Sequence, residues 1–96
     1  MRLITRRRLL EFIEDHPGAE IPLERWYRIV KHESFKSFAD LRQVFPSADK
    51  VGQLTVFNIG GNKYRLIAAI HYNRQIIYIR HILTHKEYDK GTWKGK

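Results

Sequence analysis

The sequence contains no cysteine, so neither a disulfide framework nor a thiolate zinc site is open to it, and a reducing compartment is allowed. Long apolar runs are missing as well. No stretch approaches the roughly 20 residues of a membrane span. The start, "MRLITRRRLLEF", lacks the apolar core and small-residue cleavage site of a secretory signal. A soluble, cytoplasmic protein with no membrane association is expected. The second half is poor in acids: Asp49, Glu87 and Asp89 are its only carboxylate side chains, which disfavours paired-carboxylate and two-metal chemistry. No P-loop, G-x-S-x-G elbow or dinucleotide fingerprint is present.

What is abundant is positive charge, and it is unevenly placed. Residues 1–48 hold 9 Lys and Arg against 7 Asp and Glu, net +2, while residues 49–96 hold 9 against 3, net +6. Such a field concentrates polyanions, so nucleic acid is the leading partner and an acidic protein the second. With 96 residues, 43% hydrophobic and 29% charged, the chain suits one globular domain, 1–96, and argues against disorder.

Thr5 can cap a first helix from Arg6 to about Asp15, with Leu9, Leu10, Phe12 and Ile13 on its apolar side, until "HPG" at 16–18 stops it. Arg6, Arg7 and Arg8 fan around most of a turn and cannot all face one ligand, which favours a solvated or partner-facing role over an RNA grip. Pro22 suits the first position of a second helix, in which Leu23, Trp26, Tyr27 and Val30 have core spacing. Ser37-x-x-Asp40 resembles a capping box, and Pro46 should close a short third helix near Phe45. The helices thus occupy about 5–45.

The pattern then changes. "LTVFNI" (54–59), "YRLIAAIHY" (64–72) and "IIYIRHIL" (76–83) are rich in strand-forming residues and are joined by "GGNK" and "NRQ" turns, the first needing positive φ. The fold class expected is α+β: N-terminal helices packed on a small, mainly antiparallel sheet at about 54–84, with a loose basic tail at 89–96.

Strand alternation puts Arg65, Ile67, Ala69 and His71 on one face and Tyr64, Leu66, Ala68 and Ile70 on the other; in the last strand Arg80 and Ile82 share a face opposite His81 and Leu83. Arg65 needs a partner, either a helix carboxylate or a ligand phosphate. Past the strand, "RHILTHKEYDKGTW" gathers His85, Lys86 and Tyr88 at a sheet rim. This is either a polar strand end or a site in which His85 is an acid or base, Lys86 and Arg65 hold phosphate, and Tyr88 donates a hydrogen bond or stacks. His71, His81 and His85 are poor metal ligands as a set, because alternation separates them and no H-E-x-x-H accompanies them.

The stretch "VFNIGGNKYRLIAAIHYNRQIIYIRHILTHKEYDKGTW", with the upstream "FP", resembles the HigB-type toxins of bacterial toxin-antitoxin systems, a branch of the RelE/ParE-like superfamily. The blocks "VFNIGGNKYRL" and "THKEYD" occur in the family's order and spacing. The resemblance implies a compact α+β toxin that cleaves mRNA without a metal or other cofactor, typically in the A site of the translating ribosome. It also implies neutralisation by a HigA-type helix-turn-helix antitoxin, through which alone operator DNA would be touched. By position, Arg65 matches the strand arginine that contacts the scissile phosphate, His85 and Lys86 the basic residues after the last strand, and Tyr88 the tyrosine that completes the site.

Under that reading the RNA 2′-OH attacks the adjacent phosphate, leaving a 2′,3′-cyclic phosphate and a 5′-hydroxyl. Lys63, His71, Arg80, His81 and Lys90 are expected to line the RNA. A histidine among cations should have a lowered pKa, suiting His85 as a base, with His71 and His81 as further candidates for the acid. Arg6, Arg7, Arg8 and Glu11 are expected to form part of the antitoxin contact. The alternative is a non-enzymatic binder of nucleic acid or, as in ParE-like relatives, of gyrase.

Overall fold

A computed structural model describes residues 1–4 and 6–95. Its elements run β1 (Arg2–Ile4), α1 (Arg6–Asp15), a 3-10 turn (Pro17–Ala19), α2 (Glu20–His32), α3 (Phe38–Val44), β2 (Asp49–Val51), β3 (Leu54–Ile59), β4 (Tyr64–His71), β5 (Ile76–Thr84), α4 (His85–Lys90) and a second 3-10 turn (Thr92–Gly95). The expected Thr5 cap lies outside the described residues. None of the described helices is long and apolar enough to cross a membrane.

The five strands form one sheet in the order β1-β5-β4-β3-β2. All neighbours are antiparallel except β1, which pairs parallel to β5 through Arg2 with Ile76 and Ile4 with Tyr78. The α+β class and the meander of β3, β4 and β5 follow the sequence expectation. The Gly60–Gly61 turn has φ of +61 and +70, which only glycine adopts without strain.

Helix α2 buries Leu23, Trp26 and Val30 against the sheet, with Trp26 edge-on to Phe57 at 5.4 Å. Pro22 is not at its first position: the 3-10 turn at Pro17–Ala19 feeds directly into Glu20, and Pro22 is tolerated because the first helical N–H groups have no intrahelical acceptor. Ser37 caps α3 as expected, accepting from the Asp40 N–H at 3.2 Å. These helices cover one sheet face, and with Phe57, Leu66, Ala68, Ile77 and Ile79 they make the main core.

One irregularity decides what the other face presents. In β4 and β5, Ile67 pairs with His81 but Ala68 pairs with Ile79, so Arg80 is an extra residue, a β-bulge. The phase of β5 therefore shifts. Ile79 and Ile82, three apart, both join the main core, whereas His81 and Leu83 come to the open face beside Ile67 and Arg65. Strict alternation had put Arg80 and Ile82 together; the bulge separates them. Beyond Tyr78, β1 no longer flanks β5, and Arg8 Nη1 donates to the bulged Arg80 carbonyl at 2.9 Å.

The described part of the segment expected as a loose tail carries the end of α4 and a 3-10 turn. Thr84 accepts from the Glu87 N–H at 3.2 Å, and a Glu87 carboxylate oxygen accepts from the Thr84 N–H at 2.9 Å, a capping box that starts α4. Gly91, at φ +72, ends the helix, and Trp93 folds back, 4% exposed, onto Val56 and Ile67. The chain thus has a second, smaller core on the open face.

Candidate active site at the sheet rim

Arg65 lies on β4 with its side chain directed into the open face, where it is 9% exposed. Its Nη1 donates to the Tyr64 carbonyl at 3.2 Å and its Nη2 to Asn62 Oδ1 at 3.4 Å, and among the described residues it has no carboxylate partner. Of the two explanations open at the sequence level, the helix salt bridge is absent. The guanidinium instead sits 5.3 Å from the Tyr88 ring centroid, a cation–π arrangement.

Tyr88 is in turn stacked on Trp93, with centroids 5.2 Å apart and planes 19° apart. The indole Nε1 donates to the Tyr88 carbonyl at 3.1 Å. Trp93 was missed as a site residue in the sequence. Its signal was the T-x-x-E of Thr84 to Glu87 followed by Gly91, which together predict a short helix and a reversal that return the tryptophan to the sheet.

His85 and Lys86 open α4 and are exposed, and the His85 N–H donates to the Lys63 carbonyl at 3.0 Å, fixing the helix start to the β3–β4 turn. His85 Nε2 lies 3.1 Å from Asp89 Oδ2, one helical turn on. That carboxylate orients the ring, an arrangement the sequence reading did not include. His85 and Tyr88, three apart, lie on neighbouring sides of α4, so the rim sets the Arg65–Tyr88 pair at one end of a helix whose first residue, His85, is tied to the Lys63 backbone.

His81, half-buried on β5, lines a depression of about 310 Å³ with Leu83, Glu87, Lys90 and Trp93. Its pKa is lowered by burial and, further, by the charges of Arg8 and Arg80. His71 is not part of this group: it ends β4 about 20 Å from Arg65 at the usual rise per residue. Among the described residues, no three His, Asp or Glu side chains converge as a metal would require.

The arginines of α1 diverge, as their spacing demands. Arg6 lies over the Tyr27 ring at 4.7 Å, while Arg8 reaches β5. Arg7 is exposed, and Glu11 lines a shallow depression with Arg8, Phe12, Asp15 and Ile82.

Known proteins are similar to this sequence over nearly its whole length. A family model described as HigB_toxin, the RelE-like toxic component of a toxin-antitoxin system, matches residues 19–91. The mRNA interferase toxin HigB of Escherichia coli K12 is 38% identical over 92 residues, covering 93% of this chain and 88% of the relative. The mRNA interferase HigB of Shigella flexneri matches to the same extent. The mRNA interferase HigB of Escherichia coli O6:H1 is 30% identical over 95 residues, 96% of this chain and 92% of that protein.

Proposed function

The chain belongs to the HigB family of RelE-like toxins from toxin-antitoxin systems, and from that premise we propose that it is an mRNA interferase whose cleavage centre is the rim around Arg65. The observation that carries the reading is Arg65 itself. A guanidinium has five N–H donors, and this one, nearly buried, has a carbonyl, a distant amide oxygen and an aromatic face for company. Holding a charge there without an anionic partner is unfavourable, and an RNA phosphate supplies that partner.

RNA brings its own nucleophile. The protein must align the 2′-OH with the adjacent phosphate, take its proton, give one to the departing 5′ oxygen and neutralise the growing charge. Arg65 stabilises the phosphoryl oxygens, aided by Lys63 and Lys86. His85, oriented by Asp89, moves the proton. Tyr88, held by Trp93, donates a hydrogen bond or stacks on a base. His81 and Lys90 line the approach, with His71 and Arg80 farther along the sheet. No step in this scheme uses a metal.

The substrate is message in the ribosomal A site, in the cytoplasm, and the neutralising partner is a HigA-type helix-turn-helix antitoxin that meets α1 near Arg6, Arg7, Arg8 and Glu11. The test is induced expression in bacteria of the wild type beside Arg65→Ala and His85→Ala, with mapping of new 5′ ends on a reporter mRNA. Growth arrest with cuts in translated regions, lost in both variants, is the expected result. Arrest without cuts would refute the nuclease reading in favour of another target such as gyrase.

A further inference from the structure

The open face carries a second concentration of chemistry, around His71 and Arg80, to which the cleavage scheme gives no part in phosphate stabilisation or proton transfer. Where α4 and Trp93 stop covering the sheet, His71 and Tyr78 meet edge to face, with centroids 5.4 Å apart and planes at 88°. Ala69 pairs with Tyr78 across the strands, and its small side chain leaves room beside the rings. Two adjoining depressions, of about 420 and 450 Å³, share Ala69, His71 and Arg80. Lys50 borders the first; Arg8, Arg74 and Tyr78 border the second.

Three features give this surface its chemical character. No Asp or Glu lines either depression, whereas the depression by α1 contains Glu11 and Asp15 and the one by Trp93 contains Glu87. The bulge makes Arg80 an extra, exposed residue whose backbone carbonyl is fixed by Arg8, and among the described residues no carboxylate pairs with its guanidinium. The aromatic pair supplies a ring face next to those cations. An acidic peptide would need the charges alone. A nucleotide needs both, a flat face for the base and a cation for the phosphate.

We propose that this depression is a subsite for a nucleotide flanking the cut, with the base stacked against the Tyr78–His71 pair and its phosphate held by Arg80, seconded by Arg8 and Arg74. The inference rests on the reading of the chain as an RNA-cleaving toxin. Ala69 is four residues along β4 from Arg65, about 13 Å, a distance that an extended single strand crosses while lying on one face of the sheet. The subsite sets the register of the RNA on the sheet; it takes no part in proton transfer.

The experiment compares the full chain with Tyr78→Ala, Tyr78→Phe and Arg80→Gln, first by fluorescence anisotropy with a labelled single-stranded RNA oligonucleotide, then by cleavage of message in programmed ribosomes. Tyr78→Ala should weaken binding about tenfold, in the range of losses from removing one stacking aromatic, and Tyr78→Phe should bind like the wild type. Arg80→Gln should lower the salt dependence of binding by about one phosphate contact. In cleavage, KM should rise with kcat kept, and RNA shortened by the flanking nucleotide should no longer distinguish Tyr78→Ala from wild type.

Unchanged affinity in both Tyr78→Ala and Arg80→Gln would overturn the subsite, as would a loss in Tyr78→Ala that persists on the shortened RNA. A wild type that binds RNA but cuts no message would instead overturn the nuclease reading. The anisotropy series would still decide the subsite.

Discussion

Replacing Trp93 with alanine separates the two cores of this protein. The indole is 4% exposed and packs on Val56 and Ile67, so its removal costs about 3–5 kcal/mol in lost burial and cavity. Where that loss appears is the informative question. Helix α4 has six residues, His85–Lys90, and helices shorter than about 12–15 residues are marginal in water without tertiary support. Its other attachments are one capping box, the His85 to Lys63 backbone bond and the Tyr88 ring over Arg65, together worth about 2–3 kcal/mol. The penalty exceeds them, so α4 should open locally while the helix-covered face remains folded. Native-state hydrogen exchange should show lost protection of α4 amides with little change at Leu66, Ala68 and Ile77, and growth arrest should disappear because Tyr88 no longer covers Arg65. Trp93→Phe keeps the ring contact, gives up the Nε1 bond of about 1 kcal/mol and should retain most activity. Unchanged α4 protection in Trp93→Ala, or exchange rising in step throughout the chain, would refute the claim that this tryptophan specifically holds the rim.

Other expectations concern the far end of the sheet and the buried histidine. Gln75, at φ +56, is the described non-glycine residue in the left-handed region, and its amide donates to Phe35 and Tyr72 carbonyls at 2.6 and 2.8 Å while accepting from the Phe35 N–H at 3.3 Å. Gln75→Ala should lower unfolding free energy in urea by about 2–3 kcal/mol, and Gln75→Gly, which relieves the backbone, should recover about 1 kcal/mol of that; equal losses would show that the turn is unstrained. For His81, whose folded pKa lies below the ordinary 6.5, the unfolded chain binds more protons between the two values. Its contribution to stability is therefore neutral above the unfolded pKa and becomes destabilising as pH falls through 6.5 toward the folded value. His81→Gln should flatten the wild type's stability loss over that window, and a parallel slope in both proteins would remove the histidine as its cause.

The sequence made α1, α2, α3 and the three long strands legible, though not α4, because their signals are local: a 3.6-residue stripe at Leu23, Trp26, Tyr27 and Val30, strand-forming runs, and the glycine pair at 60–61. The three-residue strands β1 and β2 carry no period of their own and exist only through their neighbours, β5 and β3. The bulge at Arg80 was illegible for a related reason. It is a property of pairing between strands, and without it simple alternation puts Arg80 and Ile82 on one face, although it keeps His81 with Leu83. Arg65 stood out because a strand arginine between Tyr64 and Leu66 is conspicuous, whereas Trp93 looked like tail composition; its place depends on the capping box and on Gly91 being read together.

The two faces of the sheet divide stability from chemistry. Under the helices lie Leu9, Leu23, Val30, Phe57, Leu66 and Ile77, all apolar, and any of them could be buried without asking anything of a ligand. On the open face the small core of Val56, Ile67 and Trp93 is enough to anchor α4 but too small to hide Arg65 completely or to give it a carboxylate. A fold seeking only stability would do better with an apolar residue at 65, since an uncompensated buried charge is among the more destabilising features a core can carry. Arg65→Leu should accordingly raise the melting temperature while abolishing cleavage. If instead it destabilised the protein, Arg65 would be a structural residue satisfied by its Tyr88 contact, and the claim that its unused donors are reserved for an RNA phosphate would fail.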